Sequence, residues 1–189
     1  MKIRYNAPVT LTLALLASFL LAFDQIFGAH LILNDFTVPG HNQFNFAYLP
    51  GYFRLFSFIL GHASWTHLIG NFSFILLLGP ILEEKYGSWP ILGMVLVTAF
   101  ITGLINVLFL NTGLLGASGI AFMMILLISI TNIRGGDLPL SFILIILIYV
   151  VQQVVIAFKP HDISVMAHLV GGFCGSMFGF LKRPTIAKD

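Results

Sequence analysis

Long apolar runs alternate with short polar breaks along the whole chain. Six runs can be placed, at about residues 8–27, 64–82, 90–110, 118–133, 139–158 and 163–181. The breaks carry turn residues: Asn34-Asp35 and Pro39-Gly40, the stretch Glu83–Gly87, Asn111–Gly113, Arg134–Asp137 and Lys159–Asp162. At ~1.5 Å per residue, helices of this length match a hydrocarbon core of ~30 Å. The pattern predicts an all-α membrane protein of six transmembrane helices in a single domain, 1–189. The run at 8–27 is too long for a signal-peptide core and lacks a clear small-x-small cleavage site, so a retained first span is expected.

Composition agrees with the pattern. The chain is 58% hydrophobic and 8% charged, with a mean hydropathy of +0.99, far above a soluble domain. A net charge of +2 argues against a nucleic-acid partner. The single cysteine, Cys174, cannot form an internal disulfide. With six spans, Lys2, Arg4, Lys85, Arg134, Lys182, Arg183 and Lys188 share one side, while Arg54 and Lys159 take the other. That bias predicts cytoplasmic termini.

This topology brings scattered polar residues to one depth. His62, His67 and Asn71 fall at the outer end of the second span, Ser118 at the outer end of the fourth, and His168 five residues into the sixth. The fourth span, 118–133, amounts to ~24 Å of helix, short of the core thickness. Its preceding loop, 111–117, is expected to dip into the membrane, where irregular backbone is tolerated only against protein or a wet cavity. Ser118 would then sit at the floor of a recess.

Helical geometry places His67 and Asn71 on one face as i, i+4 neighbours. His168 shares a face with Gly171, Gly172, Gly175 and Gly179, a strip that admits another helix to backbone contact. If the fourth span is that helix, the imidazole reaches the Ser118 hydroxyl, a weak nucleophile that needs a base. The helix start supplies free N–H groups for an oxyanion, and His67 and Asn71 could add donors. No acidic residue is aimed at His168, although Asp24 and Asp35 are not excluded, so a Ser118–His168 dyad is the economical reading. A lone serine in a span is more commonly a packing residue; the combined pattern favours chemistry.

Several motifs together resemble the rhomboid family of intramembrane serine proteases, in its minimal six-span, prokaryotic form. They are Phe53-Arg54-Leu55, His62-x4-His67-x3-Asn71, Gly79-Pro80-x2-Glu83-x2-Tyr86-Gly87, Gly116-Ala117-Ser118-Gly119 and Ala167-His168-x2-Gly171-x3-Gly175. The resemblance implies a rhomboid-like bundle with a short central fourth helix and a long, aromatic, interfacial first loop. It implies an endopeptidase that cuts transmembrane substrates near the outer membrane face through an acyl-enzyme, without cofactor or metal, in a prokaryotic plasma (inner) membrane. It makes Ser118 the nucleophile and His168 the base, with His67, Asn71 and the Ser118 N–H as oxyanion donors. His62 ties the first loop to the second span, and Arg54 anchors that loop. Phe53 replaces the family's usual Trp, and Phe122 stands where many relatives carry a Tyr packed on the catalytic His.

Other classes fit less well. No His-Glu-x-x-His is present for a zinc protease, Gly135-Gly136-Asp137 only superficially resembles an aspartyl intramembrane protease motif, and no inverted repeat suggests a transporter. The alternative that stays open is a non-catalytic rhomboid-like protein that binds or escorts membrane clients. Oligomeric state and natural substrate are not legible.

Overall fold

The computed structural model describes residues 4–131 and 164–182, with positions 140, 143, 144, 147 and 151 between them. The described residues are helical, with long helices α1 (Pro8–Phe27), α4 (Trp65–Tyr86), α5 (Ser88–Phe109), α6 (Ser118–Thr131) and α7 (Ser164–Leu181). Short helices α2 (Leu31–Asp35) and α3 (Arg54–Ser57), with 3-10 turns around them, lie in the first loop. Among the described residues, three helices, α1, α4 and α5, are long and apolar enough to cross a membrane, and the described parts of α6 and α7 are shorter apolar helices. The fifth expected span, the Arg134–Asp137 and Lys159–Asp162 breaks, and His161 lie outside the described residues except at those few positions.

Helix α1 begins with Pro8 at its first turn, where a missing N–H costs nothing. Its N-cap, Ala7, has no capping side chain, and the carboxylate of Glu83 on α4 takes that role. The amide N–H groups of Val9 and Thr10 donate to Glu83 Oε2 and Oε1 at 3.2 and 2.7 Å, and the Thr10 hydroxyl donates to Oε1 at 2.7 Å. A carboxylate here satisfies free helix amides and the positive dipole end together. A Cβ at Gly79 would overlap Thr10, so glycine lets the two helices meet.

The expected break at Glu83–Gly87 contracts to one residue. Glu83 to Tyr86 continue α4, and only Gly87, at φ +83, turns the chain into α5. Charged straight-chain residues are good helix formers; the left-handed region is what needs glycine. The third span likewise starts at Ser88 rather than Pro90, because a proline in the first turn gives up no helical hydrogen bond.

The core is centred on α6. Met123, Met124 and Leu127 are fully buried, with Ile75 and Leu82 of α4 and Ile91 and Val95 of α5 in the same cluster. At the C-terminal end of α4 Tyr86 bonds the Thr131 hydroxyl through its own (2.7 Å). At the opposite end of α4 the first loop folds over the bundle. Phe44 is buried and packs edge-on against Phe46 and Tyr52, while Phe46, Tyr48, Leu49 and Phe53 are exposed, as suits an interfacial segment.

Replacing Glu83 with Ala leaves two amides and a buried hydroxyl unsatisfied. Glu83→Ala is expected to lower unfolding stability by about 2 kcal/mol in a detergent-micelle denaturation assay, with Glu83→Gln losing about half of that. An unchanged Glu83→Ala transition would contradict the capping role.

Candidate functional site

The site grows from the start of α4. The Ser64 hydroxyl accepts the His67 amide N–H at 3.2 Å and caps the helix, fixing the phase of its first turns. His67 and Asn71 then present one face to Gly116, whose φ of +109 admits little but glycine. A Cβ at Gly116 would lie 2.7 Å from Cε1 and Nε2 of His67 and 3.4 Å from Nδ2 of Asn71. Both side chains therefore converge on the backbone two residues before Ser118.

His62 is fully buried among these groups. Its Nδ1–H donates to the Leu60 carbonyl at 3.2 Å. Its Nε2 accepts from Asn71 Nδ2 at 3.1 Å and from the Ala117 amide at 3.4 Å. This pattern requires a neutral ring in the Nδ1–H tautomer. His62 thus bonds Leu60 of the first loop, Asn71 of α4 and the Ala117 amide next to Ser118. His67 stands edge-on to it, ring centres 5.0 Å apart.

The loop before Ser118 passes from exposed Asn111 and Thr112 to buried Leu114, Gly116 and Ala117. Its backbone polar groups are satisfied by the first loop. Val38 and Leu114 exchange both hydrogen bonds (2.9 and 2.8 Å), the His41 amide donates to the Leu110 carbonyl (2.7 Å), and the Gly116 amide to the Phe58 carbonyl (2.9 Å). Ser118 opens α6 and is half-buried. The first helical bond is Ala121 N–H to Ala117 C=O, so the amides of Ser118, Gly119 and Ile120 are free of intrahelical partners.

Helices α6 and α7 share the most extensive interface among the described elements. A Cβ at Gly171 would overlap the Gly119 carbonyl, one at Gly175 the Met123 carbonyl, and one at Gly119 would lie 3.0 Å from the Ala167 carbonyl oxygen. Gly179 faces Ile130, and Gly172 is buried. The residues flanking Ser118 and His168 in sequence are therefore in backbone contact. His168 is buried, and the Phe122 ring lies over it at 4.3 Å between centroids, tilted 37°.

Not every expected residue is engaged. The Arg54 side chain is half-buried, and among the described residues it makes no hydrogen bond or ion pair. The first loop is secured instead by Ser57, whose hydroxyl donates to the Asp35 carbonyl at 2.7 Å, and by Leu55 seated on Gly103. Phe53 packs edge-on against Phe36. Asp24 caps α2 through the Leu31 amide at 2.6 Å. His41, which carried no expectation, donates through Nδ1 to the Val107 carbonyl at 2.9 Å. Asn106 of α5 went unnoticed in the sequence, yet its buried amide reaches both loops. A buried Asn near the end of an apolar run was the available signal. Among the described residues, no group of His, Cys, Asp and Glu is arranged to hold a metal ion.

Burial pushes the His62 imidazole, in the loop before α4, down from 6.5 to about 4. The unfolded chain then binds a proton that the folded one refuses. The stability of this region is fully present above pH 6.5 and lost as pH falls from there toward 4. Nitrogen-15 spectra of the ring are expected to show the neutral Nδ1–H tautomer at pH 5.5 and a midpoint near 4. A midpoint at 6.5 would contradict the buried acceptor role.

Two comparisons bear on the chain's family. The Rhomboid domain family model matches residues 50–185. The "Rhomboid protease GlpG" of Haemophilus influenzae is 25% identical over 131 residues, covering 68% of each chain. The matched region holds α3 to α7, and so His62, His67, Asn71, Ser118 and His168. The chain belongs to the rhomboid family and is an integral membrane protein.

Proposed function

We propose that the chain is an intramembrane serine endopeptidase acting through Ser118 and His168. The observation that carries this reading is the glycine-mediated contact of α6 and α7. It brings Gly119 against Ala167 and Gly171, beside the serine and the histidine. The relative's printed name is that of a protease, and the alternative, a non-catalytic client binder, is favoured by no feature of the site.

The chemistry follows from the side chains. Ser118 Oγ attacks the carbonyl carbon of the scissile peptide while His168 takes its proton. The oxygen of the tetrahedral intermediate gains a negative charge, stabilised by the Ser118 amide and by N–H donors of Asn71 and His67. The Gly116 turn brings the backbone of the Ser118 segment close to both side chains. His168 returns the proton to the departing amine, leaving an ester on Ser118 and a free amino end. Water then attacks the ester, with His168 again as base, and releases the carboxylate. No cofactor takes part. Phe122 packs on the His168 ring and orients it by van der Waals contact.

Substrates in this reading are transmembrane proteins, cut near the outer face, with the bilayer as solvent. The chain is a single domain of six spans, with both termini in the cytoplasm and the plasma (inner) membrane of a prokaryote as its location. Gly171, Gly172 and Gly175 serve as packing residues.

Ser118→Ala and His168→Ala are each expected to abolish cleavage of a reporter membrane helix while leaving the folded protein intact. Ser118→Ala also loses labelling by a fluorophosphonate. Asn71→Ala is expected to lower the rate by no more than about 10²–10³, because the backbone donor remains. Folded wild-type protein that neither labels nor cleaves would favour the client-binding alternative, and near-normal turnover in His168→Ala would exclude the dyad.

A further inference from the structure

Asn106 lies in the last turn of α5 and is 1% exposed. Its Nδ2 donates to two carbonyls, Pro39 at 3.3 Å and Thr112 at 3.1 Å. Both amide hydrogens are thereby used, whereas Oδ1 is buried without a hydrogen-bond partner. A buried orphan acceptor costs about as much as a donated bond returns. The side chain is therefore a poor source of net stability, and its bonding is directed wholly at two loop carbonyls.

Those carbonyls belong to the segments that are zipped together. Pro39 lies between Val38, paired with Leu114, and Gly40, where a Cβ would overlap the Asn111 carbonyl. The His41 ring fixes the same strip to the Val107 carbonyl, one residue beyond Asn106. Thr112 opens the descent that ends at the Gly116 turn and Ser118. The amide thus stands at the root of the serine-bearing loop and grips both strands of the zipper.

We propose that Asn106 is a positioning residue for the Ser118 nucleophile: by clamping the first loop to the serine-bearing loop it sets where the Gly116 and Ser118 backbone lies relative to His67 and Asn71. This inference rests on the protease reading above. Loss of the clamp lets the 110–117 strip move against the first loop, and displacements of about an ångström at a reacting centre cost on the order of 100-fold in rate.

The test uses full-length protein in detergent or nanodiscs, in a Cys174→Ala background. It compares the parent, Asn106→Leu, and Asn106→Leu carrying Val38→Cys and Leu114→Cys in oxidised form. Val38 and Leu114 are a hydrogen-bonded antiparallel pair. Such pairs place Cα atoms ~5.5 Å apart, within the disulfide range of ~4.4–6.8 Å. Two quantities are read: hydrogen exchange of the Leu114 and Gly116 amides, and the rate of Ser118 acylation by a fluorophosphonate. Asn106→Leu is expected to speed exchange and to slow acylation by about 10- to 100-fold, and the disulfide to restore both. A residue that served stability alone would lower the unfolding temperature without a rate change that the cross-link repairs. If Asn106→Leu does not fold, Asn106→Ala takes its place. Unchanged exchange, or unchanged acylation with a loosened loop, overturns the proposal. A parent protein that takes no probe contradicts the protease reading instead, and exchange alone then decides whether the clamp exists.

Discussion

The arrangement depends on the absence of side chains between two helices. Where α6 crosses α7, the backbone carbonyls of Gly119 and Met123 occupy the space that Cβ atoms at Gly171 and Gly175 would need. In a bilayer, lipid tails compete with apolar side chains on equal terms, and close backbone packing is what draws helices together. The contact is tight enough that even a methyl group at Gly171 would collide with fixed backbone rather than with a movable side chain. It seats α7 at one rotation and one height on α6, so His168 arrives beside the start of the serine helix under the Phe122 ring.

A second constraint acts on the other side of Ser118. The serine helix is described over Ser118–Thr131, and its leading loop carries backbone groups that are costly to leave unsatisfied when buried. The first loop answers by pairing with it at Val38–Leu114, by taking the Gly116 amide on the Phe58 carbonyl, and by placing His62 against the Ala117 amide. His62 can accept two N–H groups only while it is neutral, and its burial keeps it so. The first loop is therefore more than an aromatic float on the interface; its inner strip is bonded to the backbone that leads into Ser118.

Much of this was legible in the sequence because it rests on local periodicity. The first span is found at Pro8–Phe27 as predicted, the fourth helix starts at Ser118, and Gly171, Gly175 and Gly179 after His168 face a neighbouring helix. The expectation that His67, Asn71, Ser118 and His168 gather at one end of the bundle followed from run lengths and turn residues. What was hidden depends on contacts distant in sequence. Nothing near Glu83 announces that it caps a helix 73 residues earlier, and its neighbours read as a break because charge was equated with a turn. Asn106 was passed over as one polar residue in an apolar run, since its partners Pro39 and Thr112 become neighbours only after folding. Arg54, singled out through the resemblance, makes no side-chain bond among the described residues, and Ser57 and Leu55 hold the loop in its place.

The central claim is that backbone contact between α6 and α7 makes Ser118 a nucleophile. It is tested most directly by acid-quenching the protein during turnover of a reporter membrane helix and measuring its intact and digested mass. Wild-type protein is expected to carry the amino-terminal substrate fragment as an ester on Ser118, and folded Gly171→Leu protein is expected to carry none. An ester on another residue, or an ester on Ser118 of Gly171→Leu formed at the wild-type rate, would contradict the account.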